Sequence, residues 1–314
     1  IEAVSSDPAN PVTGQVWYNT TTNVVKGMAA TTAGAWSTGG SLNSGRTASA
    51  AAGTQTAALA FGGNPPNPSV ALTESYDGTS WTEVNDLNTA RRELSGAGTQ
   101  TSALAFGGFN TPPDTIQAQT ESWNGSCWAE VADLNTARLQ LAGGGTDNTA
   151  ALAFGGYIIP AVSALTESWN GTCWAEVNDL NTARRLISGD GTTTSSLAFG
   201  GWTPYYAQTE SWNGTCWAEV ADLNTARYAI AGAGADNTSS LAFGGYSPPS
   251  GAESTLTELW NGSSWTETTD LSTARGYSSA TGIATAALCI GGPGAAVEEW
   301  LGAGSPVVQT FTDS

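Results

Sequence analysis

Six arginines recur along this 314-residue chain at intervals of 43 to 48 residues: Arg46, Arg91, Arg138, Arg184, Arg227 and Arg275. Each is followed 16 or 17 residues later by a Gly-Gly pair, the first Gly62-Gly63 and the last Gly291-Gly292. Each pair is followed by Glu-x-aromatic, from Glu74 and Tyr76 to Glu298 and Trp300. A period of this length predicts a solenoid or a propeller. Length alone suggests two domains, but no linker interrupts the repeats. One repeat domain is therefore expected over residues 34–314, after a short N-terminal element at 1–33.

The unit that follows Arg184 shows why each repeat reads as all-β. Leu197-Ala198-Phe199 is a short apolar run that stops at Gly200-Gly201, the pattern of a buried strand and a turn. Residues 209–212 read as the next strand, Asn213-Gly214 as a two-residue hairpin turn, and 217–220 as the returning strand. The segment after the arginine, Ser188-Gly189-Asp190-Gly191, is small and glycine-rich, as a crowded strand near an axis requires. Four antiparallel strands, a to d, make one propeller blade. The turn recurs as Asp77-Gly78, Asn124-Gly125, Asn170-Gly171 and Asn261-Gly262. Its Asn-Gly-Ser/Thr triplets also match a glycosylation sequon, but turn chemistry explains the glycine and the sequon does not.

A Gly-Gly doublet, an aromatic, a Trp about five residues on and then an Arg resembles the kelch repeat, over nearly the whole chain and in six copies. The resemblance implies a β-propeller with structural Trp and Gly-Gly positions. The last unit lacks its second Trp, whereas Trp36 stands ten residues before Arg46, the spacing seen in the later repeats. Trp36 therefore reads as an orphan strand d that closes the ring and removes an open edge. The expected fold is a kelch-like propeller of six four-stranded blades. A seventh, irregular blade built from 15–19 and 24–28 is the alternative.

The formal charge of −18 repels phosphates, so nucleic acid and anionic membrane are poor partners. No apolar run approaches 18 residues, so no membrane insertion is expected. Residue 1 is Ile, so processing or incompleteness at the N-terminus is expected. Histidine is absent, which removes Ser-His and Cys-His nucleophiles and imidazole metal sites. No cofactor is expected. Cys127, Cys173 and Cys216 share one slot, too far apart to bridge. Together with Cys289 they read as small buried thiols. Slot tryptophans read as packing between blades, and the slot Arg and Glu residues as paired charges. Asp86 and its equivalents read as turn caps rather than calcium ligands.

Function must sit where the repeat breaks. Loops b–c and d–a share one face. The d–a loops read as nearly identical, while the b–c loops vary and carry Phe109, Tyr157, Ile158, Ile159, Trp202, Tyr205, Tyr206 and Tyr246. Invariant loops beside divergent ones suggest a fixed frame presenting a recognition surface. Residues 11–27 read as a hairpin. Its Gly14-Gln15-Val16-Trp17-Tyr18-Asn19-Thr20-Thr21 resembles a segment common in structural proteins of tailed bacteriophages, and the near-identical repeats look like kelch-type proteins of marine phages. That implies a virion surface component, with Trp17, Tyr18 and Asn19 as attachment residues. The expected function is a non-enzymatic fibre or surface decoration that binds other virion proteins, itself or a host glycan. A secreted or cell-surface lectin-like propeller is the alternative. Kelch propellers resembling galactose oxidase need His ligands for copper, which this chain cannot supply.

Overall fold

The structure is a computed structural model. It describes residues 1–8, 11–12, 14–30, 33–65, 68–202, 206–292, 294–303 and 306–311, the side chains of 30 and 306–310 excepted. The chain divides into two compact units, Ile1–Ala35 with Leu301–Ser314, and Trp36–Trp300. The sequence suggested that 301–314 belongs with the repeats. It groups instead with the N-terminal strands, because Pro306–Phe311 pairs antiparallel with Val24–Ala30.

All regular structure among the described residues is β; six four-stranded antiparallel sheets stand in a propeller-like arrangement, beside three two-stranded hairpins and one further four-stranded sheet. The first repeat sheet is Ala50–Thr54, Ala57–Phe61, Thr73–Tyr76 and Trp81–Glu83, strands a to d in order. The second to fifth sheets repeat this plan, with strands a at Ser95–Thr99, Ala142–Asp147, Ser188–Gly191 and Ala231–Asp236. The sixth sheet is Ser279–Ile283, Ala286–Ile290 and Val297–Leu301, and its fourth strand is Ala35–Thr38 from the other end of the chain.

Packing between sheets explains the composition of strand a. In four of the six sheets the phenylalanine ending strand b presses on a glycine of the next strand a: Phe61 on Gly96, Phe106 on Gly143, Phe154 on Gly189 and Phe199 on Gly232. A Cβ at any of these glycines would lie 2.4–2.6 Å from the ring, so only glycine fits. The same phenylalanines meet the strand-d tryptophans edge-on. Phe61 lies 4.9 Å from Trp128, and Phe243 lies 4.8 Å from Trp36, which holds that slot in the sixth sheet. Each slot indole also donates its N–H to the preceding sheet, as Trp174 does to Thr120 Oγ1 (3.0 Å) and Trp36 to Thr257 Oγ1 (3.0 Å). Where the sixth sheet has Val297 in the threonine slot, Trp81 donates to the Gly40 carbonyl instead (2.8 Å).

The Asp-Leu-Asn-Thr-Ala-Arg loop joins one sheet to the next. Asp133 Oδ1 accepts the Thr120 amide of the sheet being left. Asn135 reaches ahead, its backbone N–H and Nδ2 both donating to Glu167 of the next sheet and Nδ2 also to the Trp174 carbonyl. Arg138 then pairs with Glu167 at 2.9 Å and donates to the Gly155 and Leu165 carbonyls. All six slot arginines pair in this way with the glutamate of their own sheet, at 2.7 to 3.2 Å and with no more than 4% side-chain exposure.

Two residues beyond each slot arginine lies a residue with positive φ: Ala48, Glu93, Gln140, Leu186, Ala229 and Tyr277, at 48° to 57°. Their backbones bond in sequence. The Glu93 amide donates to Ala48, Gln140 to Glu93, Leu186 to Gln140, Ala229 to Leu186, Tyr277 to Ala229, and Ala48 to Tyr277, at 2.8–3.2 Å. The sixth bond returns to the residue that began the series.

The other unit is a sheet of different plan. Glu2–Val4 runs parallel to Val16–Asn19, which forms the expected hairpin with Val24–Ala30, and Pro306–Phe311 adds the last strand. Asp7 ties it together, accepting from Trp17 Nε1 (3.1 Å), Asn19 Nδ2 (2.8 Å) and Lys26 Nζ (2.7 Å). These donors hold the Asp7 carboxyl down at about 2.

The cysteines correct one expectation. Cys289 is buried, but Cys127, Cys173 and Cys216 are exposed. They occupy the last position of the Asn-Gly turns, where the asparagine Oδ1 accepts their backbone N–H (3.0 Å) and the side chains face solvent.

Candidate functional site

Inside the ring of positive-φ residues lies a cavity of about 160 Å³, lined by four residues from each of the six sheets. Around it, in five of the six repeats, the residue after the slot arginine pairs with the residue after the Gly-Gly: Thr47 with Asn64, Arg92 with Phe109, Leu139 with Tyr157, Arg185 with Trp202 and Tyr228 with Tyr246. Loops d–a and b–c thus share a face, as expected. The d–a loops, read as nearly identical, repeat as far as their arginine. Their last two positions vary in every repeat and surround the cavity.

The sequence-derived residues fall in two groups. Phe109, Tyr157, Trp202 and Tyr246 form a half-buried circle around the mouth. The Arg92 guanidinium lies 5.4 Å over the Phe109 ring and that of Arg185 4.5 Å over Tyr157. Trp202, Tyr228, Tyr246 and Tyr277 make a continuous arc, with successive ring centroids 4.6, 5.2 and 5.7 Å apart. Ile158 and Ile159 stand farther out, at the tip of a small hairpin of Tyr157–Ile158 with Ala161–Val162, and Ile159 is 61% exposed. Tyr206 is half-buried, and its backbone carbonyl accepts the Arg227 amide. Tyr205 lies outside the described residues.

Residues that sequence reasoning passed over complete the mouth. Glu93 is the sole carboxylate among the lining residues, and Gln140 Nε2 donates to it at 3.0 Å. Burial pushes the Glu93 carboxyl up, against the pull of Gln140, Arg92 and Arg185. Burial likewise raises the Tyr277 phenol to about 12, helped by Glu93 and Tyr228 and opposed by Arg185. Gln140 Oε1 and Arg185 Nε are buried without a hydrogen-bond partner. One signal in the sequence points to these residues: they interrupt an otherwise repeated loop immediately after its arginine.

A second cavity of about 110 Å³ is lined by the glycine-rich middles of the six strands a. Asp190 projects there among glycines, and Ser240 Oγ donates to its Oδ2 at 2.5 Å. Burial raises Asp190 to about 8.

Of the residues expected to serve attachment, Trp17 and Asn19 are buried and bonded to Asp7. Tyr18 is half-buried, its hydroxyl donating to Asn23 Oδ1.

Among the described residues, no group of three or more His, Cys, Asp or Glu side chains could hold a metal ion. No helix of the described residues is long and apolar enough to cross a membrane. No protein-family model matches the chain, and no curated protein matches it.

Proposed function

We propose that this chain is a recognition module without enzymatic activity: a kelch-like propeller of six blades, closed by the strand around Trp36, that binds a ligand at the axial mouth. The observation that carries this reading is where variation lies. Buried slots repeat from sheet to sheet, whereas the residues around the mouth differ in nearly every sheet and are rich in Tyr, Trp and Arg, the types that supply binding energy. The closed series of six backbone bonds and the shared sixth sheet support the six-blade count.

The resemblance of residues 14–21 to segments of phage structural proteins supports a place on a virion surface, as a fibre or decoration whose ligand is a host glycan or another virion protein. Any attachment then uses exposed parts of the N-terminal unit such as Val12 and Val16 rather than Trp17. The full chain applied to a broad glycan array tests the binding role. Specific signals that disappear on substituting Tyr246 and Trp202 with alanine support it, and an array without signal overturns the glycan reading. Recovery of the chain at fixed stoichiometry with purified particles tests its place on a virion.

A further inference from the structure

The outer edge of a sheet is where its main chain can pair with another chain. Each repeat sheet ends outward in strand d, and five of the six strands d carry an exposed glutamate: Glu83, Glu130, Glu176, Glu219 and Glu267. The sixth, Ala35–Thr38, is uncharged but only four residues long. In the N-terminal unit the three-residue edge Glu2–Val4 carries the exposed Glu2. Shortness and edge charge both discourage pairing between chains.

The other edge of that unit has neither protection. Pro306–Phe311 is six residues long, Pro-Val-Val-Gln-Thr-Phe, and holds no charged residue. Val24–Ala30 pairs with it along one side, from Ala30 with Pro306 to Val25 with Phe311. It is the outermost strand of its sheet, so among the described residues its other side has no strand partner. Alternate N–H and C=O groups of such a strand point outward. Pro306 stands at its first position, where the missing N–H costs a ladder least. The sheet beside this edge is apolar on one face. Gly27 leaves room there for the Phe311 ring, which lies 2.7 Å from where a Cβ of Gly27 would stand. Val16, the cross-strand partner of Gly27, shares that face. Both Val16 and Phe311 are exposed.

We propose that Pro306–Phe311 is a self-association edge. It pairs antiparallel with the same strand of a second copy and joins two four-stranded sheets across a two-fold axis. Charge chooses the occupant. At −18, copies of this chain repel one another over most of their surface, and an uncharged edge is where they can approach. Symmetry points the same way, because an antiparallel pair about a two-fold axis needs one strand only, and this edge supplies both halves. The contact is separate from the mouth, so its failure leaves ligand recognition standing.

Sedimentation velocity of the full chain, from micromolar to submillimolar concentration, tests the edge. A dimer is expected, and added salt should strengthen it by screening the repulsion between two acidic copies. Gln309→Glu and Gln309→Lys, each checked for an unchanged melting temperature at low concentration, are each expected to weaken the dimer by about fivefold or more, since like charges then meet across the axis. An equimolar mixture of the two variants is expected to restore a dimer holding one copy of each. Hydrogen exchange should slow in residues 306–311 as the dimer forms and stay unchanged in 50–61. A chain that is monomeric over the whole range overturns the proposal. A dimer that both variants leave intact overturns it too, by placing the contact elsewhere. Protection of 306–311 in particles, with the isolated chain monomeric, overturns it in favour of a strand from another protein.

Discussion

Asp190 occupies a strand-a position held in the other sheets by Ala52, Ala97, Gly144, Ala233 and Thr281. Its Oδ1 is buried without a hydrogen-bond partner. Its folded value of about 8 lies above the ordinary 3.8, so the folded chain keeps a proton that the unfolded chain releases. Stability is therefore greatest below about pH 4 on this account and falls as pH rises towards 8. Asp190→Ala is expected to be the more stable chain by about 1–3 kcal/mol at pH 8. The gap should shrink towards pH 4, as read by urea denaturation at both pH values. The slot arginines behave oppositely. Arg138→Met strands Glu167 and two carbonyls in the interior and should cost about 3–5 kcal/mol, seen as a lowered denaturation midpoint. Pairing of these charges was legible in the sequence, because one Arg and one Glu recur in every repeat. At the mouth Phe109, Tyr157, Trp202 and Tyr246 were read from the variable loops, but Arg92, Glu93, Gln140 and Tyr277 were not, because the residue type at their positions does not repeat.

At the scale of the element, the Asp-Leu-Asn-Thr-Ala-Arg loop is a connector with two grips. Its asparagine holds the sheet ahead through Glu167 and the Trp174 carbonyl, while its aspartate holds the sheet behind. Asn135→Ala is expected to lower stability by about 1–2 kcal/mol. It should speed hydrogen exchange in residues 166–176 more than in 95–106, which checks the direction of the grip. Sequence reading recognised the aspartate as a cap, since turn chemistry is local. It could not see that the asparagine bonds a glutamate 32 residues later, because a one-dimensional period does not say which neighbouring unit a side chain reaches. The same limit applied to the cysteines: their shared slot was evident, their exposure at the turn was not.

For the molecule as a whole, the two ends of the repeat region meet in the sixth sheet. Ala35–Thr38 supplies its outer strand and Trp36 fills the indole slot against Phe243 and Trp300. Removing residues 1–38 leaves three strands with an open edge, which invites pairing between chains. The truncated chain is expected to melt at lower temperature and to associate, measured by calorimetry and size-exclusion chromatography. Trp36→Ala should destabilise by about 3–5 kcal/mol without added association, since the strand itself remains. The orphan Trp36 and its ten-residue spacing to Arg46 made this strand visible in the sequence. The attachment of 306–311 to the N-terminal hairpin was not visible, because those residues lie outside the period.

The bonded circle of Ala48, Glu93, Gln140, Leu186, Ala229 and Tyr277 has a bearing on how such a chain adapts. Glycine would adopt these φ values at least cost, yet none of the six is glycine. Every bond in the circle runs between main-chain atoms, so a change of residue type leaves the circle intact. The mouth therefore has six addresses that can be rewritten one at a time, each altering a sixth of the perimeter while the scaffold stays constant. Copies of this gene diverging under selection for new ligands should accumulate their differences at these addresses and at the residue beside each, and spare the slots beneath.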